Sequence, residues 1–390
     1  MSSPLRWAIA LSLPLAAIGL AVARGKKEAA VEPAPVEAPP PPVEVPPPPA
    51  APALFPAGLP VLVDTLPPGI ASLSAQSCNA CHWAAHDSWA PSGHARAWSA
   101  PGYQAALKGA GASTACLSCH LPLASQHDQL AAGYIDGDVA RPRLQDNPAF
   151  DVTLMSEGVT CAACHVREGT ILGVHASPNS PHPITVSAEL SSSELCASCH
   201  QLSWPESDRP FYDTYGEWNG SAYAKAGVDC QDCHMAPAAG APQPGSLTAV
   251  PAHASPTTIL RALTTLVALP DPYITRGTAL DVGITLVNSG AGHSVPTGNP
   301  FKTWTIEVVA IDAAGKDLAP PQRTVLARTV EATPPWRTTG DDRIVAGGKK
   351  EWTVHLMPNV KGAPGTGALV VRAVRGTTTV ELRRIPLSVR

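Results

Sequence analysis

The distribution of cysteine constrains this chain more than any other feature. All ten cysteines fall into five copies of one pattern, C-x-x-C-H, and none is left over. The five copies are CNACH (Cys78, Cys81, His82), CLSCH (Cys116, Cys119, His120), CAACH (Cys161, Cys164, His165), CASCH (Cys196, Cys199, His200) and CQDCH (Cys230, Cys233, His234). Any fold of this chain must therefore present five similar clusters of two thiols and one imidazole.

This spacing is the attachment motif of c-type haem. Two thiols about one helical turn apart reach the two vinyl groups of a porphyrin, and the adjacent histidine becomes the proximal ligand of the iron. A zinc site would need four ligands at characteristic spacings, and a disulfide framework would not require a histidine after every second cysteine. Five copies that use every cysteine favour haem over both alternatives. We therefore predict five covalently bound haem c groups.

The N-terminal residues predict export. Residues 1–24 place Arg6 before an apolar run from Trp7 to Ala23, which is long for a signal-peptide core and short for a membrane span. The AVA tripeptide at 21–23 offers a cleavage site, but the basic residues that follow disfavour cleavage. A cleaved signal peptide and a retained N-terminal membrane anchor both stay open. Either predicts an exported protein that is periplasmic or faces the extracellular side.

Composition divides the rest of the chain into three parts. Residues 25–70 predict a disordered, proline-rich linker, with thirteen prolines between 31 and 60. Residues 71–256 hold all five motifs and predict a mainly helical and loop pentahaem domain, because the macrocycles supply its core. Residues 257–390 contain β-branched runs between turn residues, which predicts an immunoglobulin-like β-sandwich. The predicted fold class is α+β multidomain.

A faint internal repeat relates two stretches of the pentahaem part. The stretch CHWAAHDSWAPSGHARA at 81–97 resembles YDTYGEWNGSAYAKA at 212–226. The aligned residues are Trp89 with Trp218, Ser92 with Ser221, and His94 with Tyr223. Two related helical units, one of which lacks the histidine, would explain this pattern.

Each haem iron can take a second axial ligand, and thirteen histidines less five proximal ones leave eight candidates. His86 follows His82 by four residues on the same predicted helix, so it cannot reach the far side of that haem, and only another haem could take it as a ligand. His355 lies within a predicted strand. The remaining candidates are His94, His127, His175, His182, His253 and His293.

The order of the motifs resembles that of a known family. The pattern C-x-x-C-H-x6-W-x-x-S-x-H-A, from Cys78 to Ala95, precedes EGVTCAACH, SPHPITVS, SSSELCASCHQ and GVDCQDCHM. These motifs are similar to those of multihaem cytochromes c in the group that includes the tetrahaem electron acceptor of hydroxylamine oxidoreductase. The resemblance spans roughly Cys78 to Met235 and extends to GAGHSVPTGNPF.

The resemblance implies which histidines are distal ligands of the haem irons. It carries this role to His94, His182, His253 and His293. For the fifth haem we predict His175 in GVHASP, with His127 as the next choice and Met155 and Met357 as weaker ones. Since His293 lies in a turn of the predicted sandwich, a bond from it to iron would pin the two domains together.

Two functions are weighed on this basis. The first is electron transfer through closely packed, mostly bis-histidine haems of low potential, with other cytochromes or a membrane oxidoreductase as redox partners. The alternative is a multihaem reductase or oxidase of a small nitrogen or sulfur compound at a five-coordinate haem, which would also need acid or base groups nearby. A third interpretation makes the sandwich a docking module.

The net charge of −4 gives no nucleic-acid footprint. The sequence favours the carrier over an enzyme and leaves homo-oligomerisation open.

Overall fold

The computed structural model describes residues 54–55, 59–109, 114–204, 206–238, 250–254 and 258–390. The predicted signal peptide or anchor at 1–24, and much of the predicted linker at 25–70, lie outside the described residues. Within those described, no helix combines the length and the apolar character needed to cross a lipid bilayer. Residues Pro52–Arg390 belong to one compact unit, which includes the haem motifs and the C-terminal strands.

The helices are short, and most of them carry or adjoin a haem motif. Those in the described residues are α1 (Ala75–Asn79), α2 (Trp83–Trp89), α3 (Pro101–Gly109), α4 (Thr114–His120), α5 (Val152–Ser156), α6 (Cys161–His165), α7 (Ser193–His200), α8 (Thr214–Asn219), α9 (Ala222–Lys225), α10 (Cys230–His234) and α11 (Ile259–Ala262). Helices of this length are not stable alone in water, so packing must hold them in place. Local capping helps: Asp151 accepts hydrogen bonds from two backbone N–H groups at the start of α5.

In the described stretches before residue 258, nine strands precede the C-terminal part. They are β1 (Gln129–Ile135), β2 (Asp138–Asp146), β3 (Val166–Arg167), β4 (Thr170–Gly173), β5 (Ile184–Val186), β6 (Gln201–Leu202), β7 (Tyr212–Asp213), β8 (Pro237–Ala238) and β9 (Val250–Pro251), and they form four small sheets. The part of the chain that carries the five motifs, residues 71–256, is called the haem-binding part below. It mixes helix and strand more evenly than the sequence analysis predicted. The longest hairpin among these nine strands, β1–β2, turns at Asp136 and Gly137, both with positive φ. Asp-Gly is a strong signal for such a turn.

The C-terminal part contains ten strands. They are β10 (Leu263–Ala268), β11 (Tyr273–Ile274), β12 (Leu280–Asn288), β13 (Trp304–Asp312), β14 (Gln322–Leu326), β15 (Arg328–Val330), β16 (Thr338–Asp341), β17 (Lys349–Leu356), β18 (Gly365–Arg375) and β19 (Thr378–Val389). One sheet has the order β10-β12-β17 and is antiparallel. The other has the order β11-β19-β18-β13-β14, with β11 parallel to β19 and the other pairs antiparallel. The predicted strand content is present.

Both larger sheets contribute to one hydrophobic core. Strand β12 alternates buried and less buried positions, so that Val282, Ile284 and Leu286 face inward towards Ile306 of β13. This core contains 24 buried apolar residues, whereas the largest core cluster among the described residues of the haem-binding part contains seven. The difference agrees with the expectation that macrocycles supply much of the apolar interior around the motifs.

The β15–β16 hairpin contacts the loop between β6 and β7. Arg328 donates from Nη1 to the Pro210 carbonyl at 2.6 Å, and Thr338 donates its backbone N–H to Asp208 at 2.9 Å. Asp341 accepts from Arg209 at 3.0 Å and from Arg343 at 2.8 Å. These bonds attach the C-terminal part to the haem-binding part by polar groups from both sides.

Asp341 makes the stability of this contact dependent on pH. Partial burial would raise its pKa, but the hydrogen bonds and charge of Arg343, supported by Arg209, outweigh this effect and lower the pKa to about 2. Since the pKa in the unfolded chain is about 3.9, the ionised carboxylate stabilises the fold above about pH 4. That contribution is lost as the pH falls towards 2.

We expect Asp341→Asn to lower the free energy of unfolding at pH 7 by about 1 kcal/mol, a figure reduced for solvent screening of a partly exposed ion pair. The gap from the wild type should close between pH 4 and pH 2. Urea unfolding of the holoprotein at several pH values measures it. Asp271→Asn, which changes an exposed aspartate, controls for loss of charge. A gap that stays constant with pH would contradict the assignment.

Candidate haem sites

Four of the five motif histidines face a second histidine ring. The pairs and their ring-centroid distances are His82–His182 at 6.2 Å, His94–His200 at 6.2 Å, His165–His253 at 6.3 Å and His234–His293 at 6.1 Å. Two imidazoles that bind one metal ion from opposite sides, each through a nitrogen about 2 Å away, have centroids roughly 6 Å apart. These residues therefore fit a haem iron between each pair. They include all four distal ligands that the resemblance implied.

The hydrogen bonds of the rings leave the correct nitrogen available. The Nδ1 atoms of His165, His253 and His293 lie 2.9, 2.9 and 3.0 Å from the backbone carbonyls of Leu172, Pro251 and Ser294. Because a carbonyl only accepts, Nδ1 carries the hydrogen, and the lone pair lies on Nε2. Such outer bonds orient an imidazole and fix its tautomer for metal binding.

The surroundings also favour the neutral form of His253 and of His200. Burial, with a further contribution from His165, lowers the pKa of His253 to about 4. The pKa of His200 is lowered to about 4, first because surrounding protein atoms remove water from the ring and then because His94 and His234 lie nearby. Part of this residue is nevertheless exposed to solvent. The neutral imidazole is the form that binds a metal ion, so these groups are ready to ligate at neutral pH.

The internal repeat corresponds to a repeated set of hydrogen bonds. Trp89 donates from Nε1 to the Val159 carbonyl at 2.9 Å, and the Val159 N–H donates to the His94 carbonyl at 3.0 Å. In the second unit the same bonds join Trp218, Val228 and Tyr223, at 2.9 and 3.0 Å. Each valine precedes the first cysteine of a motif by two residues. Each repeat unit therefore binds the segment just before one haem motif. The first unit binds the segment before the third motif, and the second unit binds the segment before the fifth.

The second motif differs from the other four. Among the described residues, no second histidine ring lies opposite His120, whose Nδ1 lies 2.6 Å from the Ala97 carbonyl. Instead the ring of Tyr103 stacks on it at 3.6 Å, with an interplanar angle of 7°. The Tyr103 hydroxyl is buried and has no hydrogen-bond partner in the described part of the chain. Tyr212 lies near the two thiols of this motif. Burial, followed by the effect of Cys119 and Cys116, raises the pKa of its hydroxyl.

The two predicted candidates for the fifth distal ligand lie elsewhere. His175 is exposed on the segment after β4, and no ring contact joins it to His120 in the described structure. His127 is buried, and its Nε2 lies 2.6 Å from the Leu121 carbonyl. That bond occupies the nitrogen that a ligand would use. The assignment of His175 therefore stays a prediction without structural support.

Thiols of different motifs lie next to one another. Cys164 of the third motif lies near Cys196 and Cys199 of the fourth. All ten thiols are free, so a disulfide framework gains no support. Three pairs of thiols interact directly, each across two motifs: Cys78 with Cys161, Cys119 with Cys199, and Cys196 with Cys230. The five attachment sites thus form one connected group.

Comparison with known proteins is consistent with this arrangement. The family described as cytochrome c554 and c-prime matches residues 77–137. The structure is similar to that of a penta-heme cytochrome c552 from Thermochromatium tepidum, with 18% sequence identity and a TM-score of 0.57. The match covers 81% of this chain and 98% of that chain. At this identity the likeness speaks to the fold alone. The search of curated proteins found no match.

Another solved structure matches only a third of the chain. It is the CARDB domain of the PF1109 protein from Pyrococcus furiosus, with 15% identity, a TM-score of 0.21, and coverage of 33% of this chain and 87% of that chain. The TM-score is too low to support an argument. The family match, the similarity in fold to a penta-heme cytochrome and the five C-x-x-C-H motifs together support a multihaem c-type cytochrome with covalent haem c.

Proposed function

We propose that this chain transfers electrons through five covalently attached haem c groups, four of them ligated by two histidines. The observation that carries this proposal is the set of four histidine pairs at 6.1–6.3 Å. When bound, each haem supplies one-electron oxidation and reduction at its iron. The protein holds both axial imidazoles in place. Two histidines, without the methionine that raises haem potentials, favour low potentials.

The contacts between thiols support a continuous route for electrons. The thiols join the first motif to the third, the second to the fourth, and the fourth to the fifth. Cys164 of the third motif lies close to Cys196 of the fourth. The route would therefore run through motifs one, three, four and five, and the second motif would branch from the fourth.

Several further assignments belong to this proposal. The protein is exported, and acts in the periplasm or at the cell surface behind a signal peptide or an N-terminal anchor. Its partners are redox proteins, such as other cytochromes or a membrane oxidoreductase. We assign it to the group of the tetrahaem electron acceptor of hydroxylamine oxidoreductase, with a pentahaem domain at 71–256. An immunoglobulin-like sandwich occupies 257–390, and the two larger sheets around one core support it.

Low-temperature electron spin resonance of the oxidised holoprotein tests the ligation. We expect four low-spin ferric haems, and a mass gain equal to five haem groups fixes the stoichiometry. Fewer than four low-spin haems in a fully loaded protein would contradict the four histidine pairs. Bare thiols in the mature protein would contradict the cofactor itself.

A second candidate function rests on the second motif. Since no histidine faces His120 in the described residues, the haem there would be open to a small nitrogen or sulfur compound. The chain would then be a reductase or oxidase that uses the other haems to supply or remove electrons. A high-spin ferric signal, together with turnover of hydroxylamine, nitrite or sulfite, would support it. Absence of turnover with these three compounds would favour the carrier.

A further inference from the structure

The carboxylate of Glu217 on α8 contacts the loop that carries His293. Its Oε2 atom accepts hydrogen bonds from the Ser294 backbone N–H at 3.1 Å and from the Thr297 hydroxyl at 2.6 Å. Its Oε1 atom accepts from Nη1 of Arg343 at 2.6 Å. Both charged side chains are buried, with 9% and 6% of their surface exposed. One carboxylate of the haem-binding part thus binds two loop residues and an arginine of the C-terminal part.

The peptide group between His293 and Ser294 is held from both sides. The His293 carbonyl accepts a hydrogen bond from Nδ2 of Asn288 at 2.8 Å, while the Ser294 N–H donates to Glu217. Asn288 is fully buried at the end of β12. The loop is also held on the other side of His293, because Tyr223 donates its hydroxyl to the Ser289 carbonyl at 2.8 Å. The backbone that aims the imidazole is therefore fixed by both parts of the molecule.

We propose that Glu217 is a positioning residue that keeps the His293 imidazole directed at the iron opposite His234. The inference rests on the proposed bis-histidine ligation of this haem. Hydrogen bonds to an ionised acceptor are stronger than neutral ones, and all three groups that face this carboxylate are donors. The bonds hold the loop in one orientation, so His293 returns to the iron after each spontaneous dissociation.

An amide cannot replace this carboxylate. Glu217→Gln keeps the shape of the side chain but has one acceptor oxygen and one donor NH2 group. If the oxygen faces Ser294 and Thr297, the NH2 group meets the Arg343 guanidinium, and the reverse orientation sets NH2 against the backbone N–H. Either way a buried donor loses its partner. Loss of a charge-assisted hydrogen bond of this kind corresponds to about a tenfold change in an equilibrium.

Cyanide binding to the oxidised holoprotein tests the proposal, because cyanide takes a bis-histidine iron only after a histidine leaves. We expect Glu217→Gln to accelerate one kinetic phase by about tenfold and to shift one low-spin signal. Thr297→Val removes one bond to the carboxylate while the Arg343 pair stays, so it should accelerate the same phase less. His293→Ala identifies that phase, because its haem should bind cyanide without delay.

Glu307→Gln is the matched control. Glu307 is equally buried, at 8%, and pairs with two arginines, Arg323 at 2.7 Å and Arg372 at 2.9 Å, on the five-stranded sheet. It should leave every cyanide phase unchanged. Equal acceleration in the Glu217 and Glu307 variants, or none in the Glu217 variant, would overturn the proposal. If His293→Ala alters no low-spin signal, then the ligation proposed above fails, and the two failures are thereby distinguished.

Discussion

Replacement of His293 by alanine is expected to convert one low-spin ferric haem of the oxidised holoprotein into a high-spin haem. The ring lies 6.1 Å from His234 and nearly parallel to it, at 17°, as two ligands of one iron can be. Its Nδ1–H donates a hydrogen bond to the Ser294 carbonyl, so the lone pair of Nε2 is available to bind the iron. Removal of the imidazole takes one strong axial ligand from this iron alone. Spin quantification should show three low-spin haems where the wild type shows four.

The same variant should also loosen the attachment of the C-terminal part. The loop between β12 and β13 would keep its bonds to Asn288 and Glu217 but lose the bond to iron, so we expect a lower midpoint of urea unfolding. His355→Ala is the control, because this exposed side chain binds only Asp281 in the described structure. It should alter neither the spin states nor the midpoint appreciably. An unchanged spectrum in the His293 variant would contradict its role as a ligand.

The double replacement Cys116→Ala and Cys119→Ala is expected to lower the protein mass by one haem group and to abolish the high-spin signal. The reason is that the second motif lacks a histidine opposite His120 in the described residues, so its haem is the one expected to be five-coordinate. The four low-spin signals should stay, because the four histidine pairs involve other motifs. Carbon monoxide binding to the reduced protein should fall close to zero.

A matched variant separates this effect from a general loss of haem. Cys230→Ala with Cys233→Ala should also remove one haem mass, but it should eliminate a low-spin signal and leave carbon monoxide binding intact. If the variant of the second motif instead removes a low-spin signal, the haem there has a sixth ligand. In that case the candidate enzymatic function would lose its basis.

The sequence was most informative where chemistry requires fixed local spacing. The five C-x-x-C-H motifs predict the proximal histidines without knowledge of the fold, and β-branched alternation predicts strands such as β12 and β13. The four histidines that we propose as distal ligands could not be derived from spacing, since His94 lies 106 residues before His200 and His182 lies 100 residues after His82. They came from a resemblance, and the structure places each opposite a motif histidine.

Other features depend on tertiary contacts that no local pattern reveals. Glu217 is one acidic residue among 31, and only the approach of the His293 loop makes it important. Tyr103 gave no sequence signal, because its stacking on His120 joins α3 to the end of α4. The β1–β2 hairpin is different, because the Asp136-Gly137 pair is a local turn signal that a sequence can show. The prediction of a mainly helical region nevertheless did not include this hairpin. The repeat was visible, but its hydrogen bonds to Val159 and Val228 were not.

The unequal apolar interiors bear on how the chain matures. Twenty-four buried apolar residues give the C-terminal sheets a nucleus that needs no cofactor, whereas the short helices around the motifs have little to collapse upon until porphyrin arrives. We expect the sheets to form first and to hold the His293 loop from one side through Asn288, while Glu217 and Tyr223 fix it from the other side once the haem-binding part folds. The haem between His234 and His293 would then be the last to bind, and its attachment would complete the fold.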